Sequence, residues 1–141
     1  MTKEFDDFPV YYYSNHNSVV GPGEVKIDKK LSEMLDYELE IAIVIGKEGI
    51  NIPASKADEY IFGFTIMNDF SSRKIQIEEM KLNLGPAKGK DFATALGPWI
   101  TTIDELHGRT TETLKGNIYD INLKGYLNNN LLSQDNLKNM N

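Results

Sequence analysis

The sequence predicts an α+β domain in which strands outnumber helices. Three observations carry that expectation. Tyr37 to Ile45 alternates with a two-residue period. Ile61 to Met67 is a continuous apolar run of strand length. Tyr119 to Leu127 alternates again and leads into Asn128-Asn129-Asn130, a hairpin turn by composition. Against these stand only two short helical patterns, and a domain of mainly β character follows.

Taken in order, Val10-Tyr11-Tyr12-Tyr13 is a strand candidate by its aromatic and β-branched content, after Pro9. Ser14 to Ser18 is a polar loop, and Gly21-Pro22-Gly23 marks a turn. In the strand from Tyr37 to Ile45, the residues Tyr37, Leu39, Ile41, Ile43 and Ile45 share one face. Glu38, Glu40, Ala42 and Val44 share the other, acidic at its start and apolar at its end, so the strand is expected to be buried on both sides except at the carboxylates. Gly46 to Gly49 ends it. Ser55 to Tyr60 has a cap at Ser55 and an acid three residues on at Asp58, the spacing of a capping box. Ile61 to Met67 ends at Asn68-Asp69, and Ser71 or Ser72 then caps a helix to about Lys81. Asn83 to Lys90 is a loop rich in Gly and Pro, and Trp99 to Ile103 reads as a strand. No repeat or linker divides the 141 residues, so one domain, or part of one, is expected.

The net charge of −6 argues against nucleic acid or an anionic membrane as partner, because both recruit clustered Lys and Arg. With no cysteine, disulfides, thiolate metal sites and a cysteine nucleophile are excluded. No stretch approaches the ~20 apolar residues of a membrane span. The N-terminus lacks the apolar core of a signal peptide. A soluble, cytoplasmic protein is expected.

Glu38 and Glu40 project from one side of a strand, about 7 Å apart at their Cα atoms. Like charges that close, partly desolvated, raise each other's pKa unless a cation joins them. Mg²⁺ or Ca²⁺ takes such oxygen ligands, and Asp69 at the end of the next strand offers a third carboxylate. Arg73 and Gln76, three apart, share a helix face, and Arg suits bidentate capture of a carboxylate. Lys90, between Gly89 and Asp91, could neutralise an enolate oxygen as charge develops, with Lys88 as its competitor. Each residue also has a plainer reading: a solvated strand face for Glu38 and Glu40, a turn at Asp69, a solvated helix face for Arg73 and Gln76, a surface lysine. His16, in a polar loop, and His107, before Gly108, are weak candidates for a general base. No His-x-x-x-His, Gly-x-Ser-x-Gly or phosphate-binding glycine loop is present.

Taken together, Tyr37-Glu38-Leu39-Glu40, the run Ile61 to Arg73 containing Met67-Asn68-Asp69-Phe70-Ser71-Ser72-Arg73, and Lys88-Gly89-Lys90-Asp91-Phe92 resemble the fumarylacetoacetate hydrolase family. Pro9-Val10-Tyr11-Tyr12, Gly21-Pro22-Gly23 and the tail Asn136 to Asn141 are similar to it as well. The resemblance implies a mixed β-sandwich roll with short helices, in a homodimer. It implies that Glu38, Glu40 and Asp69 hold Mg²⁺ or Ca²⁺, that Lys90 is catalytic beside the metal, and that Arg73, Gln76 and Tyr12 bind substrate, with Tyr11 or Tyr13 as alternatives to Tyr12. The implied substrate is a 2-oxo or β-diketo acid, as in aromatic catabolism. The implied reaction is hydrolysis of a carbon–carbon bond through an enolate stabilised beside the cation. Decarboxylation, hydration or isomerisation on the same residues is the alternative, and an inactive β fragment is another. The family's water-activating histidine and, in its fumarylacetoacetase branch, a fourth metal carboxylate lie upstream of Pro9-Val10-Tyr11-Tyr12, and a Gly-Thr strand follows the tail. Residues 1–141 are therefore expected to be the central part of a longer catalytic domain.

Overall fold

The structure is a computed structural model that describes residues 8, 10–114 and 116–140. Among the described residues the strands are β1 (Val19–Val20), β2 (Leu35–Asp36), β3 (Leu39–Ile45), β4 (Ile61–Asp69), β5 (Ser71–Ser72), β6 (Thr94–Leu96), β7 (Thr101–Thr102), β8 (Thr110–Thr113), β9 (Gly116–Tyr119), β10 (Asn122–Leu127) and β11 (Asn130–Asn136). One α-helix, α1 (Arg73–Met80), and four short 3₁₀ segments complete them. The predominance of strands, with parallel and antiparallel pairs together, is the α+β, mainly β class expected.

The chain forms two compact units, the first from residues up to Glu38 and from Asn68–Leu96, the second from Leu39–Met67 and Gly97–Met140. The second unit has an apolar core. Phe64, Leu106 and Tyr119 are buried together, with Ile41, Ile61, Ile103, Ile121 and Leu137 packed against them. The rings of Phe64 and Tyr119 meet edge to face, 4.7 Å between centroids. β7 pairs antiparallel with β4, Gly63 opposite Thr102 and Phe64 opposite Thr101. Gly63 is required there, since a Cβ would stand 2.5 Å from the Thr101 carbonyl oxygen. Two hairpins follow, β8–β9 and β10–β11, the latter turning on Asn128 and Asn129 at φ 49° and 65°. Asparagine tolerates this left-handed conformation better than most residues, so the turn expected at Asn128–Asn130 forms.

The first unit is organised differently. β1 pairs parallel with β6, and β2 pairs antiparallel with β5, Asp36 opposite Ser71 and Leu35 opposite Ser72. α1 begins directly after β5, its first N–H, from Arg73, donating to the Met34 carbonyl at 3.1 Å. Apart from Ala93 and Gly89, its buried described residues are polar: Asp69, Ser71, Ser72 and Lys90. A buried polar cluster in place of an apolar one is the first structural sign of a site.

Several expectations are corrected. Val10 to Tyr13 is exposed and forms no strand; Tyr12 instead donates its hydroxyl to Asp69. The strand expected from Tyr37 starts at Leu39, after a break at Tyr37-Glu38 that separates it from β2. β3 is not covered on both sides throughout, since Ile43 and Ile45 are exposed. Ser55 caps nothing: a 3₁₀ segment spans Ala54–Tyr60 with Pro53 before it. Asp58 instead accepts the Asn117 N–H at 2.8 Å and the Tyr119 hydroxyl at 3.3 Å, a tertiary bond outcompeting the local cap. Trp99 to Ile103 yields only β7, because Ile103 already opens the 3₁₀ segment to Arg109. The alternation from Tyr119 to Leu127 belongs to two strands, interrupted at Asp120-Ile121.

Candidate metal and substrate site

Lys90 is the centre of the polar cluster. It is 2% exposed, and its ammonium reaches Glu38 Oε2 at 2.5 Å, Ser71 Oγ at 2.7 Å and Asp69 Oδ2 at 3.6 Å. Ser71 passes the hydrogen bond on, its hydroxyl donating to the Asp69 carbonyl at 3.0 Å. Tyr12 donates its hydroxyl to Asp69 Oδ2, and its ring lies 5.9 Å from the Lys90 ammonium. Lys88, the competitor, is exposed, so the loop brings Lys90 and not Lys88 to the carboxylates.

α1 supplies the second cation. Arg73 donates from Nε to Asp36 and from Nη1 to Glu38 and Gln76, each at 2.8 Å. Burial works against the ionised form of Glu38, but Lys90 and Arg73 outweigh it and hold its carboxyl below the usual range. The Arg73 hydrogen bond likewise lowers Asp36. Burial opposes the Arg73 charge as well, yet Glu38 and Asp36 raise its pKa on balance.

The loop that carries Lys90 is fastened from behind. Glu79, in the last turn of α1, accepts the backbone N–H groups of Ala87 at 3.1 Å, Lys88 at 2.8 Å and Gly89 at 3.0 Å. The Gly89 carbonyl accepts from the Ser72 N–H at 2.9 Å. A Cβ on Gly89 would stand 2.8 Å from the Gln76 nitrogen, so the loop lies directly on the helix backbone. Lys90 N–H closes the turn onto the Ala87 carbonyl at 2.9 Å.

Within the first unit, Glu38 and Asp69 each bring a carboxylate oxygen to within 4.8 Å of the other. Glu40 is the second residue of β3, tied to Glu38 through Leu39. Asp69 Oδ1 is buried and has no hydrogen-bond partner among the described residues. A buried carboxylate oxygen left bare is costly, and a hard cation is what that donor set accepts. Within the first unit the carboxylates of Asp36, Glu38 and Asp69 outnumber the two cations Arg73 and Lys90, which leaves net negative charge for a divalent ion to balance. The residues present therefore fit such an ion.

His16 and His107 are exposed, and neither shares a hydrogen bond with this cluster among the described residues. Three participants escaped the sequence. Asp36 stands two residues before Glu38, at the end of β2 and ahead of the break that holds Glu38. Ser71 carries only a capping signal in the sequence. Glu79 follows Gln76 at a spacing of three, the same helix-face signal that paired Arg73 with Gln76.

Residues 2–141 match the family described as fumarylacetoacetate hydrolase C-terminal. The chain belongs to the fumarylacetoacetate hydrolase family. It is 40% identical over 116 residues to the fumarylacetoacetase of Bos taurus, covering 70% of this chain and 27% of that enzyme. It is 28% identical to a solved 5-carboxymethyl-2-hydroxymuconate delta-isomerase from Mycobacterium smegmatis, at TM-score 0.72, covering 92% of this chain and 46% of that one. A fumarylpyruvate hydrolase from Pseudomonas aeruginosa, solved with Mn²⁺ and pyruvate, shares the fold at TM-score 0.72 and 19% identity, covering 93% of this chain and 55% of that one. The family thus includes hydrolases and isomerases, and the chain spans about a quarter of the curated fumarylacetoacetase. No helix among the described residues is long and apolar enough to cross a membrane.

Proposed function

We propose that the chain carries the metal- and substrate-binding part of a hydrolase that cleaves a carbon–carbon bond in 2-oxo or β-diketo acids. The observation that carries this reading is the bare, buried Asp69 Oδ1 beside Lys90, in a chain 40% identical to a fumarylacetoacetase over the matched region. Glu38, Glu40 and Asp69 would hold a divalent cation, Mg²⁺ or Ca²⁺. When bound, the cation supplies Lewis-acid polarisation and a template for the substrate's oxygens.

The chain's own residues do the rest. Lys90, buried and fixed by Ser71, presents a positive charge where an enolate oxygen develops, and burial strengthens that interaction. Arg73 is already aligned by Asp36, Glu38 and Gln76, so its guanidinium meets a substrate carboxylate without losing rotamer freedom. Gln76 and Tyr12 border the same space and orient the substrate. No described histidine contacts the cluster, so these residues are assigned to binding and charge stabilisation and not to activation of water.

A second reading keeps the residues and changes the reaction to isomerisation, favoured by the 28% identity to the isomerase structure, or to decarboxylation. Both readings require the cation. Calorimetric titration of Mg²⁺ and Mn²⁺ should show binding to the unaltered protein. Asp69→Ala and Glu40→Ala should each weaken it by more than about tenfold, the loss that removal of even an outer-sphere partner produces. Unchanged affinity in both variants would falsify the metal site. Turnover of acylpyruvates against oxaloacetate then separates hydrolysis from decarboxylation.

A further inference from the structure

We propose that Glu79 is a positioning residue for Lys90: its carboxylate is the anion that fills a nest of three backbone N–H groups and so sets the loop that presents the lysine. The proposal rests on the role given to Lys90 above and deepens it.

Three consecutive amides converging on one point form an anion-binding concavity. Where such a nest faces a ligand, the anion comes from outside. Here Ala87, Lys88 and Gly89 donate inward to a carboxylate of the same chain, at 3.1, 2.8 and 3.0 Å. The placement of that carboxylate runs against local preference. It sits in the last turn of α1, where the helix dipole disfavours a negative charge. An exposed glutamate at that position would gain nothing from the loop, whereas one that organises it offsets the dipole with three charge-assisted bonds.

What it organises is specific. Lys90 follows the third donor directly, and its N–H closes onto the Ala87 carbonyl, the other side of the peptide whose N–H is the second donor, from Lys88. The Gly89 carbonyl is pinned by the Ser72 N–H and its Cα faces the Gln76 backbone. Arg73, Gln76 and Glu79 recur at spacings of three, so one stripe of α1 aligns the two proposed substrate contacts and the loop that delivers Lys90. Glu79 itself bonds to none of Glu38, Asp69 or Lys90's ammonium among the described residues; it acts on the lysine only through the backbone.

The test uses the full chain as unaltered protein, Glu79→Gln, Glu79→Ala, Lys90→Ala and the double variant Glu79→Ala/Lys90→Ala. Amide hydrogen exchange reads the loop over 87–90. Calorimetry reads Mg²⁺ affinity, and then oxalate affinity in saturating Mg²⁺, oxalate being a planar dianion of enolate shape. Glu79→Ala should speed exchange over 87–90 and weaken oxalate binding by about tenfold, the size of loss expected of an indirect partner, with Mg²⁺ affinity unchanged. Glu79→Gln, which keeps one carbonyl acceptor, should fall between. In the Lys90→Ala background the alanine at 79 should cost nothing further. Equal oxalate losses in both backgrounds, or unchanged exchange in Glu79→Ala, overturn the proposal. Lys90→Ala with undiminished oxalate affinity overturns instead the role assigned to Lys90, and exchange over 87–90 still decides whether Glu79 holds the loop.

Discussion

The ammonium of Lys90 is almost wholly removed from water and balanced by Glu38 and Asp69. Removing one member of such a group leaves the others charged and uncompensated. Lys90→Met should therefore destabilise the metal-free protein by about 3–5 kcal/mol in urea denaturation. Saturating Mg²⁺ should recover part of that loss, because the cation binds the native state and takes over the charge balance. An unchanged denaturation midpoint would mean the lysine is not paired as described. Ser72 presents the opposite case. Its hydroxyl is buried and finds no partner among the described residues, and it caps nothing. Ser72→Ala should leave stability unchanged or raise it by about 1 kcal/mol, since an unsatisfied group is removed at little cost in volume. Arg73, Gln76 and Lys90 were legible, from residue type and spacing, as candidates that the fold then bonds into one cluster with Glu38. Asp36 and Ser71 were not. Their part depends on the antiparallel pairing of β2 with β5, which sets Asp36 opposite Ser71, and no local pattern reports a pairing between strands 35 residues apart in order.

At the scale of elements, α1 and the loop after it behave as one piece. Burial raises the Glu79 carboxyl, but the three backbone donors outweigh it and hold the folded value below the ordinary 4.5. A carboxyl lowered on folding contributes stability that is complete above its unfolded value and is lost as pH falls through the folded one. Glu79→Gln should thus melt below the unaltered protein at neutral pH, and the gap between the two melting curves should close as pH drops past 4.5 and below. A gap independent of pH would show that the charge plays no part. The position of the helix was legible, from Ser72 to its limit near Lys81; the side-chain cap expected there does not form, and the Ser72 N–H serves the Gly89 carbonyl. The same competition explains Asp58, which the sequence offers as a capping partner and the fold diverts to Asn117 and Tyr119. Hairpin β10–β11 was legible because its turn residues tolerate left-handed backbone, whereas β8–β9, made largely of Thr, Glu and Asn, carries little hydrophobic alternation.

Across the molecule, the two units divide labour by what they bury. The second buries aromatic and aliphatic side chains, and its stability rests on few of them. Phe64→Ala removes the most buried aromatic among the described residues and its edge-to-face contact with Tyr119. A loss of about 3–5 kcal/mol is expected, comparable with the whole stability of many domains. Equilibrium unfolding monitored by tyrosine and tryptophan fluorescence checks it, and a change under about 1 kcal/mol would mean the core is held elsewhere. The first unit buries charge and hydroxyl groups, which stabilise little and specify geometry more. The mainly β class was legible from period alone. The division into an apolar and a polar half was not, because periodicity reports which face of a strand is apolar and is silent on which strands share a core.

The packing of Gly89 against the Gln76 backbone leaves room for hydrogen and nothing larger. That clearance makes position 89 a gauge of how far the lysine may travel. Any thicker residue would act as a shim, prising the lysine-bearing loop away from the helix.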